Sequence, residues 1–173
     1  MKRVLWMVPI VAILAIAAAC DDDDSPTDPS DETVTFLAQL SPANEVPAVS
    51  GPEASGSGTA RIVFHIDRDS GGAITDVDAD FQVTLAGFPA GTPLTMAHIH
   101  EGEAGETGDI VVNTGVAEGQ ITLTTGATTF TRDDINVPPA LAQQILNTPA
   151  DYYFNVHSTL HPAGMARGQL VKQ

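Results

Sequence analysis

The chain contains a single cysteine and few basic residues. Cys20 is the only cysteine among 173 residues, so no disulfide can form within the chain and its stability must come from packing. Seven lysines and arginines stand against 22 aspartates and glutamates, which gives a formal net charge of −15 at pH 7. Such an acidic surface makes nucleic acid and anionic lipid poor partners and favours cations, including metal ions.

The sequence also lacks the common catalytic motifs. It has no Gly-x-Ser-x-Gly nucleophile elbow, no phosphate-binding glycine loop and no cysteine nucleophile in residues 33–173. His157 and Ser158 are adjacent, and neighbours on a strand face opposite ways, so they do not make a catalytic pair. We therefore expect a protein without enzymatic activity.

The first 20 residues have the layout of an export signal. Lys2 and Arg3 precede an apolar run over residues 4–16, and three alanines then lead directly to Cys20. This arrangement resembles a bacterial lipobox, which predicts a signal peptide over residues 1–19 and a lipid attached to Cys20. The expected location is the bacterial cell envelope, at the periplasm or the cell surface, with the lipid bilayer as a partner. An ordinary signal peptide or an uncleaved anchor is the alternative.

An acidic segment without apolar residues follows the cysteine. Residues 20–32 contain six aspartates and one glutamate, which predicts a disordered, self-repelling tether. Without Lys2 and Arg3, five basic residues remain against 22 acidic ones, a net charge of −17. Residues 33–173 are long enough for one domain with a real core, and they contain no internal repeat.

Apolar residues alternate with polar ones through most of this domain, which predicts strands with one buried face. Turn signals rich in glycine, serine and proline separate the strands, and Asp69-Ser70-Gly71-Gly72 suits a hairpin. A helix is expected over residues 138–146, where two prolines precede Leu141 and Ile145 on one stripe. The pattern predicts an all-β fold, an antiparallel two-sheet β-sandwich or a partly open barrel, with one short helix. The alternating apolar residues are Val34, Phe36, Ala38 and Leu40; Ile62, Phe64 and Ile66; Val77, Ala79, Phe81, Val83 and Leu85; and Ile121 and Leu123.

Four of the five histidines lie in two short segments. His98 and His100 project from one face of a strand, because side chains return to the same face every second residue. If the strand carrying His157 lies beside them, three imidazoles could surround one copper or zinc ion at about 2 Å each. His161 is a fourth candidate ligand or lies just outside, and the thioether of Met96 shares the strand face and would favour Cu(I). The alternative is that each histidine only hydrogen-bonds a neighbour.

Five segments in order resemble the CHRD domain, a module named from chordin and found in many bacterial envelope proteins. They span nearly all of residues 33–171, and two positions depart from the family pattern: Met165 replaces a glutamate of the closing motif, and Ser158 replaces a threonine but keeps the hydroxyl. The resemblance implies a β-sandwich with an immunoglobulin-like or superoxide-dismutase-like look, and it implies little about biochemical function. The five segments are Phe36-Leu37-Ala38-Gln39-Leu40, Asn44-Glu45-Val46-Pro47, Ala97-His98-Ile99-His100-Glu101-Gly102, Tyr153-Phe154-Asn155-Val156-His157-Ser158 and residues 164–170 with Arg167-Gly168-Gln169-Leu170.

Four polar residues of these segments are predicted to be structural. Asn44, Glu45, Asn155 and Arg167 belong to the family-like motifs, and a polar residue held among apolar neighbours needs a partner. Glu45 and Arg167 are expected to pair with each other or with backbone carbonyls. Replacing Arg167 with alanine should then lower the melting temperature without changing metal affinity.

Three functions remain open from the sequence. The first is an envelope lipoprotein that binds copper or zinc through the histidine cluster. The second is a non-catalytic adhesion or protein-interaction module whose histidines only tie strands together. The third is a dismutase-like metalloenzyme, which ranks last because the chain has too few histidines for a bridged two-metal site.

Overall fold

The computed structural model describes residues 32–173. The predicted signal peptide, the lipidation site Cys20 and the tether up to residue 31 lie outside the described residues. The first strand begins at Glu32, the last residue of the predicted tether. No helix within residues 32–173 is long and apolar enough to span a membrane.

Ten strands form two antiparallel sheets, and the described residues contain one α-helix. The first sheet has the order β10-β1-β2-β3-β7, and the second has the order β5-β4-β8-β9, with β6 paired to β4. This confirms the predicted all-β, two-sheet sandwich. The elements are β1 (Glu32–Leu40), β2 (Ser57–Arg68), β3 (Ile74–Ala86), β4 (Thr92–Glu101), β5 (Ile110–Asn113), β6 (Thr122–Leu123), β7 (Thr128–Asn136), α1 (Pro139–Asn147), β8 (Tyr152–Ser158), β9 (Ala166–Gln169) and β10 (Val171–Lys172).

The core is built from the alternating residues. The apolar positions of β1, β2 and β3 are buried in one cluster together with Ile99 of β4 and Phe154 of β8, so both sheets contribute one face to it. The turn between β2 and β3 follows the predicted hairpin signal, because the Asp69 carboxylate accepts hydrogen bonds from the amides of Gly71 and Ala73, each at 2.9 Å. Helix α1 starts at Pro139, buries Ala142 and Ile145, and contacts β3.

The opposite face of the second sheet carries polar residues. Strands β4 and β8 pair so that His98 lies opposite Asn155, His100 opposite Tyr153, and Met96 opposite His157. On the other side of β8, Asn155 lies opposite Arg167 of β9. Because Ala97, Ile99, Phe154 and Val156 point into the core, the residues between them point away from it. Contacts from three loops, described below, cover this polar face.

Candidate metal centre

Three histidines meet on the polar face of the second sheet. His98 and His100 come from β4, and His157 comes from the neighbouring strand β8. One ring nitrogen of each lies within 4.8 Å of the corresponding nitrogens of the other two. The three side chains are buried, with exposed fractions of 1, 7 and 4 % for His98, His100 and His157. The two histidine segments noted in the sequence therefore converge through one strand pair.

Backbone carbonyls orient two of the rings. Nδ1 of His100 lies 3.0 Å from the carbonyl oxygen of Gly108, and Nδ1 of His157 lies 3.0 Å from that of Pro162. A carbonyl can only accept a hydrogen bond, so each Nδ1 carries the proton and each Nε2 has a free lone pair. Both Nε2 atoms, and Nδ1 of His98, are buried without a hydrogen-bond partner. Metal-binding histidines in proteins are usually held in this way through their other ring nitrogen.

The environment favours the uncharged form of the three imidazoles. Burial, followed by the neighbouring His157 and His100, lowers the pKa of His98 from 6.5 to about 4. Burial also lowers the pKa of His100 and of His157, although hydrogen bonds to the Gly108 and Pro162 carbonyls oppose that change. Neutral imidazole is the form that binds metals.

The arrangement suits a copper or zinc ion. Three nitrogens bound to one ion at about 2 Å would lie roughly 3.5 Å apart, so the ring nitrogens would need to move inward by less than about 1 Å. Imidazole nitrogen is a good ligand for copper and zinc and a poor one for calcium or magnesium. Within residues 32–173, no aspartate, glutamate or cysteine belongs to the group.

His161 lies outside the group of three. Its Nδ1 is 2.5 Å from Oε2 of Glu53, a carboxylate that is only 2 % exposed. The Ser158 hydroxyl donates to the same oxygen at 2.8 Å and accepts from the His161 amide at 3.0 Å. These contacts hold the turn of residues 159–164, whose Pro162 carbonyl orients His157. Glu53 was not identified from the sequence, because a single glutamate within a glycine- and serine-rich segment carries no periodic signal.

Arg167 anchors two loops over the same face. It is 2 % exposed, and its Nε donates to the carbonyl of Asn44 at 2.7 Å while its Nη1 donates to that of Glu106 at 2.5 Å. The guanidinium lies 4.2 Å from the centroid of the Tyr153 ring. Asn44 in turn donates its side-chain amide to the carbonyl of Arg167 at 3.1 Å. The residues 42–44 and 102–109 are thereby fastened to β9.

Glu45 is buried beside Asn155 and Arg167. Its side chain is 8 % exposed, and burial raises its pKa from 4.5 to about 7, against the opposing influence of Arg167 and of a hydrogen bond with Asn155. Oε1 of Glu45 and Oδ1 of Asn155 have no hydrogen-bond partner. Gly164 passes so close that a Cβ there would collide with the Glu45 carboxylate and the Asn155 amide. Glu45 and Arg167 interact electrostatically without forming an ion pair.

Met96, Met165 and His65 are outside the group of three histidines. Met165 is fully buried in the hydrophobic core, whereas Met96 is 37 % exposed on the histidine face of β4. His65 is exposed on β2, with its Nε2 3.0 Å from Asp80. His65 is therefore a natural control residue for the cluster.

A known family matches most of the chain. The family model described as CHRD domain matches residues 36–170. No curated protein and no solved structure matches the chain.

Proposed function

The chain belongs to the CHRD domain family, and from its buried histidine cluster we propose that it is a metal-binding module. His98, His100 and His157 would together hold one copper or zinc ion. The observation that carries this proposal is that each of the three residues has a buried ring nitrogen without a hydrogen-bond partner. Leaving a buried polar atom unsatisfied costs about 1–3 kcal/mol, and one ion would satisfy three such atoms together.

The same proposal includes where the module acts. A lipid on Cys20 would anchor the protein in the bacterial envelope, and the acidic segment after it would let the domain stand away from the bilayer. We propose a binding role there rather than catalysis. Mass spectrometry of the N-terminal peptide tests the anchor, with Cys20→Ser as the unlipidated control. An unmodified cysteine in a protein that remains in the aqueous phase would refute it.

Calorimetric titration of the purified, metal-free protein tests metal binding. Cu(II), Cu(I) and Zn(II) are added in turn to the wild type, to the double variant His98→Gln and His100→Gln, and to His65→Gln. We expect one tight metal site in the wild type and in His65→Gln, and no tight site in the double variant. The circular dichroism spectrum of the double variant should still show β-strands, which establishes that it is folded. Glutamine keeps a polar side chain, so a folded double variant is attainable.

A second candidate is an interaction module with structural histidines. The His100 ring stacks on Tyr153, with centroids 4.8 Å apart and planes 2° apart, and the His98 ring packs edge-on against His157 at 5.1 Å. If the histidines served only to stabilise the fold through these contacts, metal binding would be weak and equal in the wild type, the double variant and His65→Gln. The double variant would then lose stability without losing any tight site.

A further inference from the structure

We infer that the three-histidine site selects monovalent copper, Cu(I), over Zn(II) and Cu(II). This inference rests on the proposed metal-binding function and specifies its ion. It is carried by the lack of a carboxylate in the group of ligand atoms among residues 32–173, by the number of ligands, and by the position of Met96 on the same strand face.

The charges around the site do not favour a divalent ion. The group of ring nitrogens includes no carboxylate among the described residues. Arg167 and Asp109, two groups of opposite charge, both act on His100, and the neighbours that act on His98 are the imidazoles of His157 and His100. The desolvation penalty of an ion grows with the square of its charge, so a buried divalent ion pays about four times that of a monovalent one of similar size.

The number of ligands favours the same ion. Structural Zn(II) sites are almost always four-coordinate and catalytic ones add a water molecule to three protein ligands, so Zn(II) would need a water molecule as fourth ligand in this buried site, whereas Cu(I) is stable with three. His161, the nearest candidate for a fourth ligand by sequence, is engaged with Glu53 at 2.5 Å. The site thus offers three nitrogens from rings that are at least nine-tenths buried.

Met96 carries a soft thioether on the same strand face as the site. It lies directly opposite His157 in the β4–β8 register and on the same strand face as His98. Its exposed thioether is a ligand type that selects Cu(I). Met96 could therefore receive Cu(I) from solvent and pass it to the buried nitrogens.

Competition titrations under anaerobic conditions test the inference. The metal-free protein competes with a chromogenic Cu(I) chelator and, separately, with a chromogenic Zn(II) chelator. We expect a Kd for Cu(I) at least about 100-fold below that for Zn(II), and copper that stays silent in electron paramagnetic resonance after exposure to air. Equal or tighter Zn(II) binding, or a Cu(II) signal accounting for all the copper, would overturn the inference while leaving metal binding intact. Binding of neither ion would overturn both proposals.

A pair of variants at the exposed position 96 isolates the effect of charge. Met96→Glu adds a carboxylate beside His157, and Met96→Gln is its neutral match, so both remove the thioether equally. We expect the ratio of the Kd for Zn(II) to the Kd for Cu(I) to be about tenfold smaller in Met96→Glu than in Met96→Gln. The same ratio in both folded variants would show that charge does not set the selectivity.

Discussion

Replacing Arg167 with alanine should destabilise the domain strongly. The change removes two charge-assisted hydrogen bonds, to the carbonyls of Asn44 and Glu106, and the contact with the Tyr153 ring. Each hydrogen bond contributes about 1.5 kcal/mol and the ring contact about 1 kcal/mol. Because the side chain is 2 % exposed, water cannot readily replace these partners, and the free energy of unfolding should fall by about 4 kcal/mol.

Urea denaturation of the metal-free protein measures this loss. Arg167→Lys should recover little of it, because an ammonium cannot reproduce the planar guanidinium fork. Arg61→Ala is the matched control: Arg61 is exposed and has one long hydrogen bond of 3.4 Å to Thr35, so its loss should stay below about 0.5 kcal/mol. Folded Arg167→Ala should still bind metal, with an affinity lowered by at most about tenfold, because Arg167 provides no ligand atom and acts on His100 only through the loop that carries the Gly108 carbonyl. An unfolding free energy like that of the wild type, or a folded variant that no longer binds metal, would refute the reasoning.

Three further predictions concern pH and the turn that holds His157. Glu45 has a folded-state pKa of about 7, above its ordinary value of 4.5, so the stability linked to its protonated form is complete below pH 4.5 and is lost as the pH rises through 7. As the pH rises from 4.5 to 8, the free energy of unfolding of Glu45→Gln should therefore increase relative to that of the wild type by up to about 3 kcal/mol. Urea denaturation at several pH values measures this difference, and a difference that does not change with pH would contradict the prediction. His98 should give the opposite pH dependence of stability, because its pKa is lowered from 6.5 to about 4. The metal-free protein should therefore lose stability as the pH falls from 6.5 through 4. His98→Gln should make that decline less steep in the same urea denaturation assay. Glu53→Gln should weaken the contacts with Ser158 and His161 and thereby loosen the Pro162 carbonyl, which should lower metal affinity about tenfold. The control Glu118→Gln changes an exposed residue and should leave the affinity unchanged. Equal affinities of both variants in competition titration would show that the turn does not orient His157.

Strands β1, β2, β3 and β6 and the helix could be read from local patterns. Alternation of Val77, Ala79 and Phe81 with aspartates marks one buried face of β3, because a strand has a period of two. The same rule places His98 and His100 side by side on β4. The prolines before α1 and the Asp69 turn are equally local, since each acts within a few residues of the chain.

The contacts that complete the site are not local. His157 lies close to His98 because β4 pairs with β8 in a register that places His157 opposite Met96, two residues before His98. The same pairing places Ile99 of β4 in the hydrophobic core. The alternation of a strand shows which residues share its face, but it carries no information about which strand lies next to it.

The sequence by itself therefore determined the class of fold, the faces of the strands and two of the three converging histidines. Only the tertiary structure decided that His157 joins them while His161 turns to Glu53, and that the carbonyls of Gly108 and Pro162 orient the rings. The physical reason is that side-chain direction along a strand is set by neighbouring residues, whereas strand pairing and loop contacts between distant residues are set by the packing of the whole core.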